Sequence, residues 1–145
     1  MTSKDLQKEI VLTMKNWQKL EDSTVAVTGQ IMEKTKNPII RLIMEIVQRD
    51  SQMHYLVQQW IADSLESKTV NLSPDELGEL WETIEHHIEI EKKSVEIAEK
   101  AIASLKGKSM VVQMYLLNYM LEDEKKHNNL LSSLEIIKKK MYPYG

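Results

Sequence analysis

The chain has 145 residues, 42% of them hydrophobic and 28% charged, and its net charge is −3. This length predicts a single domain over residues 1–145, while the small net charge and the lack of any long apolar run or leader pattern argue against nucleic acid, a membrane span or secretion. The absence of cysteine excludes disulfides and thiolate metal sites and fits a cytoplasmic protein.

Apolar residues that recur every three or four positions predict two helices in the first half. The first helix runs from about Ser3 to Lys36, and the second from Pro38 to about Leu65. Asn37 ends one and is the expected N-cap of the other, with proline at its first position. The predicted inner stripes are Leu6, Ile10, Met14, Trp17, Thr24, Val27 and Ile31 on the first helix, and Ile43, Val47, Val57 and Ile61 on the second.

The second half predicts two more helices. The third follows a capping box at 73–76 and runs to about Leu105, with Gly107 as its expected C-cap, and the fourth covers roughly Ser109 to Met141. Because both turns between paired helices are short, each pair forms an antiparallel hairpin. The predicted fold class is therefore all-α, a four-helix bundle of two helical hairpins.

Two motifs of acid and histidine lie 73 residues apart, one in each hairpin. Residues 50–54 read Asp-Ser-Gln-Met-His, and residues 123–127 read Asp-Glu-Lys-Lys-His. At 3.6 residues per turn the acids and the histidine of each motif share one helix face with apolar residues, Leu117, Leu121, Leu131 and Leu134 in the second case. An acid and an imidazole directed into a helical core are what a metal site in a bundle requires.

The third helix supplies another candidate ligand. Its apolar stripe comprises Leu77, Trp81, Ile84, Ile88, Val95, Ala98, Ile102 and Leu105, and Glu91 takes the place of one apolar member. Counted from the turn at Gly107, Glu91 and Glu124 stand at about the same height. We therefore expect them to meet, although a position at the edge of the stripe would let Glu91 reach solvent instead. His87, one turn before Glu91, is a candidate supporting residue or extra ligand, with a solvated histidine as the alternative.

The pattern of these residues along the helices resembles that of the ferritin-like superfamily, particularly the rubrerythrin-like di-iron carboxylate proteins. In that family each of two helical hairpins supplies a Glu from its first helix and Asp-Glu-x-x-His from its second, and the second half of this chain carries that pattern. The resemblance implies that Glu91, Glu124 and His127 are metal ligands. From their inward faces and matched heights we expect His54 to join these three in one coordination sphere. The resemblance also implies that Asp123 hydrogen-bonds the imidazole contributed by the other hairpin.

The first half departs from the family pattern. Asp50 and His54 match it, but Ser51 stands where a bridging Glu belongs, and a hydroxyl is a poor ligand for a hard cation. With Asp50 directed inward as a ligand, a full or altered site remains open. A single-metal site or a relic is an equally open alternative, because the first half-site is degenerate.

The ligand from the first helix has two readings. Aligning Trp17 with Trp81 places Val27 opposite Glu91, so no carboxylate matches. Counting back from the turn instead places Glu21 at the height of a ligand. We expect Glu21 to be the ligand.

The ferritin-like topology requires a crossover between the second and third helices, since these run parallel in that fold. About eight residues lie between Leu65 and Pro74, which span at most roughly 28 Å when extended, against about 40 Å between the helix ends. We therefore expect residues 74–80 to form a separate short helix joined at Gly78, with an all-antiparallel bundle as the alternative.

Two functional hypotheses follow. The first is a metal-binding ferritin-like protein using one or two ions of iron or manganese, with oxidase or peroxide-handling activity. It implies a homodimer and an external electron donor, since no cysteine is present for a rubredoxin-type centre. The second is a metal-free helical bundle that acts as a structural or interaction module, its inward acids and histidines forming a closed hydrogen-bonded network.

Overall fold

The structure, a computed structural model, describes residues 2–66 and 74–141. These form four helices, α1 (Ser3–Lys34), α2 (Pro38–Glu66), α3 (Pro74–Leu105) and α4 (Val111–Met141), and contain no strand. The predicted all-α class is confirmed, and the four helices are consistent with the expected four-helix bundle. The chain divides into two compact units, Met1–Val70 and Asn71–Gly145, and each contains one helical hairpin. None of the helices, over the described residues, is both long and apolar enough to span a bilayer.

The helix ends are set by local hydrogen bonds. Asn37 caps α2 as predicted, because its Oδ1 accepts from the backbone N–H groups of Ile39 at 2.9 Å and Ile40 at 3.2 Å. Gly107 follows α3 with a φ of +78°, the left-handed conformation that favours glycine at a C-cap, as predicted. The predicted capping box at Ser73 falls outside the described residues.

The first hairpin packs α1 against α2 along a seam that contains more polar than apolar side chains. Its buried members are Val11, Met14, Gln18, Glu21 and Thr28 on α1 and Ser51, Gln58 and Ala62 on α2. Side-chain amides tie the two helices together: Gln18 Nε2 donates to Tyr55 O at 3.2 Å and to Gln59 Oε1 at 3.0 Å, and Gln48 Nε2 donates to Val25 O at 3.1 Å. An antiparallel pairing follows, because residues early in α1 meet residues late in α2.

The buried face of the first hairpin differs from the predicted one. Met14 is buried as expected, but Trp17 is 49% exposed and Val27 is 51% exposed, as are most of the predicted inner residues of α2. The contact between α1 and α2 instead uses a neighbouring, more polar stripe, which holds Gln18 and Glu21 on α1 and Ser51 on α2. Trp17, Val27 and Val57 of the predicted inner stripe therefore form part of an exposed apolar face of this hairpin.

The second hairpin follows the predicted pattern closely. Leu77 and Ala98 of the predicted α3 stripe are buried, and the other apolar members are partly buried. Glu91, the polar member of that stripe, is only 7% exposed, so it lies in the seam and not at its solvent edge.

The expected short helix at 74–80 is wrong. Helix α3 is continuous from Pro74 to Leu105 and passes through Gly78 without a break. A single glycine weakens a helix by only about 1 kcal/mol, and 27 residues of continuous helix follow it to Leu105. The predicted crossover connection falls on residues 67–73, outside those that the structure describes.

Candidate metal centre

The second hairpin brings three of the predicted ligands together at mid-helix. One ligand atom from each of Glu91, Glu124 and His127 lies within 4.8 Å of the other two. No other cluster of three or more potential ligands was found within the described ranges 2–66 and 74–141. The prediction that Glu91 and Glu124 stand at the same height on paired helices is confirmed.

Glu91 is the most buried member of this cluster. His87, one turn earlier on α3, lies with its Nε2 3.0 Å from Glu91 Oε1, within hydrogen-bonding distance. The other carboxylate oxygen, Oε2, is buried and accepts no hydrogen bond from any described residue. An unsatisfied buried acceptor costs about 1–3 kcal/mol, so Glu91 lies where a cation or a proton is strongly favoured.

The carboxyl groups of Glu91 and Glu124 shift each other's pKa in opposite directions. The contact with Glu91 is the main cause that raises the pKa of the Glu124 carboxyl, and burial adds to it. The hydrogen bond from protonated Glu124 lowers the pKa of Glu91, and the hydrogen bond from His87 lowers it further. Two carboxylates held this close repel each other when both are ionised, and a proton or a metal ion relieves the repulsion.

His127 completes the cluster with its Nδ1, which lies 3.7 Å from Glu91 Oε1. Its other nitrogen, Nε2, lies 3.3 Å from Asp123 Oδ2, one turn earlier on the same helix. If Nε2–H donates to Asp123, the lone pair of Nδ1 is directed toward the glutamates, which is how a carboxylate commonly supports a metal-binding imidazole. Asp123 thus contacts the histidine of its own helix, and it also pairs with Lys126 at 2.9 Å. Its predicted bond to His54 stays a prediction.

The separations in this cluster suit a single ion. Ligand atoms bound at about 2.1 Å lie roughly 3 to 4 Å apart around one centre. The 3.7 Å between His127 Nδ1 and Glu91 Oε1 is within that range, and the cluster needs only a small contraction to reach it. Oxygen and imidazole ligands suit iron, manganese and zinc, and the side-chain exposure of His127, 42%, leaves one side of the cluster open to small molecules.

The first hairpin contains a related but weaker arrangement around Glu21. Glu21 is 7% exposed, as the prediction from the turn requires, and His54 Nδ1 lies 3.6 Å from its Oε1. Gln58 Nε2 lies 3.4 Å from the same oxygen. Glu21 and His54 are therefore brought together, whereas the alternative position, Val27, is half exposed.

The remaining predicted residues of the first motif do not join a cluster. Ser51 is buried at 7% exposure and faces the α1–α2 seam, while Asp50 is exposed. A hydroxyl supplies no negative charge, so the donor set here is one carboxylate and one imidazole. That His54 and Asp50 act as ligands together with the second hairpin stays a prediction.

Gln58 was not anticipated from the sequence, although it is one of the most buried polar side chains, at 3% exposure. Its amide oxygen accepts no hydrogen bond from any residue in the described ranges. A signal was present: Gln58 lies seven residues after Ser51, so it occupies the same helix face two turns later.

Comparison with known proteins identifies no relative. No protein-family model, no curated protein and no solved structure matches the chain.

Proposed function

We propose that this chain is a metal-binding protein whose second hairpin holds a divalent cation through Glu91, Glu124 and His127. The observation that carries the proposal is that one ligand atom from each of these three residues lies within 4.8 Å of the other two, at a buried carboxylate whose Oε2 has no hydrogen-bond partner among the described residues. Natural proteins rarely bury two carboxylates against each other unless a proton or a cation holds them together. The pairing of His127 with Asp123 supports the same reading, because it orients the imidazole as a metal ligand requires.

Iron or manganese is the proposed metal. Both accept carboxylate and imidazole ligands together, and neither needs the thiolates that this chain lacks. Three protein ligands leave coordination positions free for a small molecule, which supports an oxidase or peroxide-handling activity of the ferritin-like, rubrerythrin-like type. When bound, the ion would supply redox chemistry to that molecule. Glu91, Glu124 and His127 would hold the ion. Asp123 would keep the His127 ring in position, and His87 would do the same for the Glu91 carboxylate.

The proposal also covers the oligomeric state, the electron donor and the location of the protein. The exposed apolar face of the first hairpin, with Trp17 and Val27 about half exposed, supports association with a second copy as a homodimer. A redox activity would draw electrons from an external donor. The lack of cysteine supports a cytoplasmic location.

A second candidate function is a metal-free interaction module. It is favoured by the hydrogen bond from His87 to Glu91 and by the raised pKa of Glu124, because a protonated Glu124 can offset the charge of Glu91 without an ion. In that case the cluster is a structural hydrogen-bond network and the exposed apolar faces carry the function.

The test is the metal content of the protein, purified without chelator and measured by inductively coupled plasma mass spectrometry. We expect iron or manganese near one equivalent per chain, and its loss in His127→Ala. Trp17→Ala, which removes a large side chain from the exposed face of the other hairpin, is the matched control and should keep the metal. A wild-type protein that takes up neither Fe²⁺ nor Mn²⁺ under anaerobic dialysis would leave the interaction module as the better account.

A further inference from the structure

Both hairpins contain a buried glutamate on the first helix that lies close to a histidine on the second helix. Glu21 and Glu91 are each 7% exposed. The distance from glutamate Oε1 to histidine Nδ1 is 3.6 Å for Glu21 and His54, and 3.7 Å for Glu91 and His127. The histidine in each case follows an Asp by four residues. The resemblance between the hairpins is therefore present in geometry as well as in sequence.

Two positions of α2 depart from this shared arrangement. Three residues before the histidine, the first hairpin has Ser51 and the second has Glu124. Four residues after it, the first hairpin has Gln58 and the second has Leu131. Both Ser51 and Gln58 are buried, so both exchanges lie in the seam beside Glu21.

Both exchanges reduce the need for a cation beside Glu21, one by removing a negative charge and the other by adding a hydrogen-bond donor. With Ser51 in place of a glutamate, Glu21 has no second carboxylate to repel. With Gln58 in place of a leucine, Glu21 Oε1 gains an amide donor at 3.4 Å. A buried carboxylate needs a positive or hydrogen-donating partner, and the amide supplies one without any ion.

We infer that the first hairpin is a counterpart of the second that needs no metal ion. The amide of Gln58 partners the buried Glu21 as a cation would, and with Ser51 in place of a glutamate there is no second carboxylate to neutralise. Ser51 and Gln58 are then the residues that limit the chain to one metal ion. Metal binding stabilises the second hairpin only. This inference rests on the proposed function, because it takes the second hairpin as the metal site.

The inference predicts that a second ion can be gained by reversing the two exchanges. The variant Ser51→Glu/Gln58→Leu restores the residue types of Glu124 and Leu131 to the first hairpin. The matched control is Ser51→Gln/Gln58→Leu, which has nearly the same shape but lacks the charge. Equilibrium dialysis against Co²⁺, used as a spectroscopic stand-in for Fe²⁺, counts the ions bound per chain.

We expect one Co²⁺ in the wild type and in the control, and two in the Ser51→Glu/Gln58→Leu variant. Two single variants test the same inference without engineering the seam. His127→Ala should weaken binding by more than about 100-fold, since loss of a supporting residue alone costs about 10–100-fold. His54→Ala should stay within about twofold of the wild type, as expected of an independent site.

The outcomes separate the inference from the proposed function. A wild type that binds no Co²⁺ overturns both. If the wild type binds one ion and His54→Ala loses it, the metal site stands but the inference is wrong, because the first hairpin then supplies a ligand. If the folded Ser51→Glu/Gln58→Leu variant still binds one ion, the two exchanges are not what limits the number. Should that variant fail to fold, the His54→Ala result decides alone.

Discussion

Glu91 and Glu124 face each other across the α3–α4 seam as a pair of carboxyl groups that cannot both be ionised at low cost. Their mutual contact raises the pKa of Glu124 and lowers that of Glu91. His87 Nε2 lies 3.0 Å and His127 Nδ1 3.7 Å from Oε1 of Glu91, whereas Oε2 has no hydrogen-bond partner among the described residues and is available to a cation. The pair thus offers a position for one positive charge, and the first three predictions follow from this.

Glu124→Gln should stabilise the metal-free protein and abolish metal binding. The amide N–H of the new side chain can donate to the unpartnered Oε2 of Glu91, which is worth about 1 kcal/mol, or roughly 3 °C in melting temperature. Thermal melts in EDTA measure the gain, and dialysis against Mn²⁺ measures the loss. Glu122→Gln, an exposed position on the same helix, is the control and should change neither. A lower melting temperature in EDTA for Glu124→Gln would show that a carboxylate at this position is already satisfied.

The stability of the metal-free protein should pass through a maximum at mildly acidic pH. Because the pKa of Glu124 is raised above the ordinary value of 4.5, its contribution is fully present below 4.5 and is lost as the pH rises through the raised pKa. Because the pKa of Glu91 is lowered, its contribution is present above 4.5 and is lost as the pH falls through the lowered value. Urea unfolding in EDTA across this range measures the curve. The decrease in the free energy of unfolding above the pH of the maximum should be absent in Glu124→Gln. If the decrease persists in that variant, it does not come from Glu124.

Metal affinity should rise with pH over the same range. The ion competes with the proton on Glu124, so the metal affinity should fall by about tenfold per pH unit below the raised pKa of Glu124. Isothermal titration with Mn²⁺ in buffers of different ionisation enthalpy gives both the affinity and the protons released. Binding without proton release near the raised pKa would contradict a site that includes Glu124.

Asp123→Ala should weaken metal binding by about 10–100-fold, because Asp123 holds the imidazole of His127. Asp50→Ala changes the matching residue of the first hairpin, which lies outside the cluster, and should leave the affinity unchanged. The resemblance to di-iron proteins leads to a different expectation, in which Asp50 supports His127 and both variants lose affinity. Titration of both variants with Mn²⁺ distinguishes these two arrangements.

Two glycines of the second hairpin should respond to alanine in opposite directions. Gly107 has a φ of +78°, which alanine adopts only with strain, so Gly107→Ala should lower the free energy of unfolding by about 1 kcal/mol. Gly78 lies inside α3 with no atom within 4 Å of an added Cβ, so Gly78→Ala should raise it by about 0.5–1 kcal/mol. Urea unfolding of both variants measures the difference. Equal effects would show that the turn at Gly107 is not the C-cap of α3.

Much of the second hairpin could be predicted from residue spacing alone. A helix repeats every 3.6 residues, so the apolar stripe of α3 fixed the face on which Glu91 lies. A short turn sets two paired helices in register, and counting from Gly107 therefore brought Glu91 level with Glu124. Both results need only local geometry, which is why they agree with the structure.

In the first hairpin, residue spacing alone did not predict which helix face is buried. Its helices carry two adjacent stripes that could each face a partner, and spacing favoured the more apolar stripe, which includes Trp17. The α1–α2 contact instead buries the stripe of Gln18, Glu21 and Gln58. Side-chain amides at the seam can be satisfied across the two helices, whereas the apolar stripe is left available for another surface.

The sequence by itself determined the four helices, the caps at Asn37 and Gly107 and the residue types able to hold a cation, because these follow from periodicity, backbone conformation and ligand chemistry. Only the tertiary structure decided which face of the first hairpin is buried and which partner its buried acid acquires. It buried Glu21 as deeply as Glu91, with an amide from Gln58 as its partner in place of a second carboxylate. The physical reason is that burial and charge balance depend on the facing helix, which lies more than 30 residues away along the chain at both glutamates.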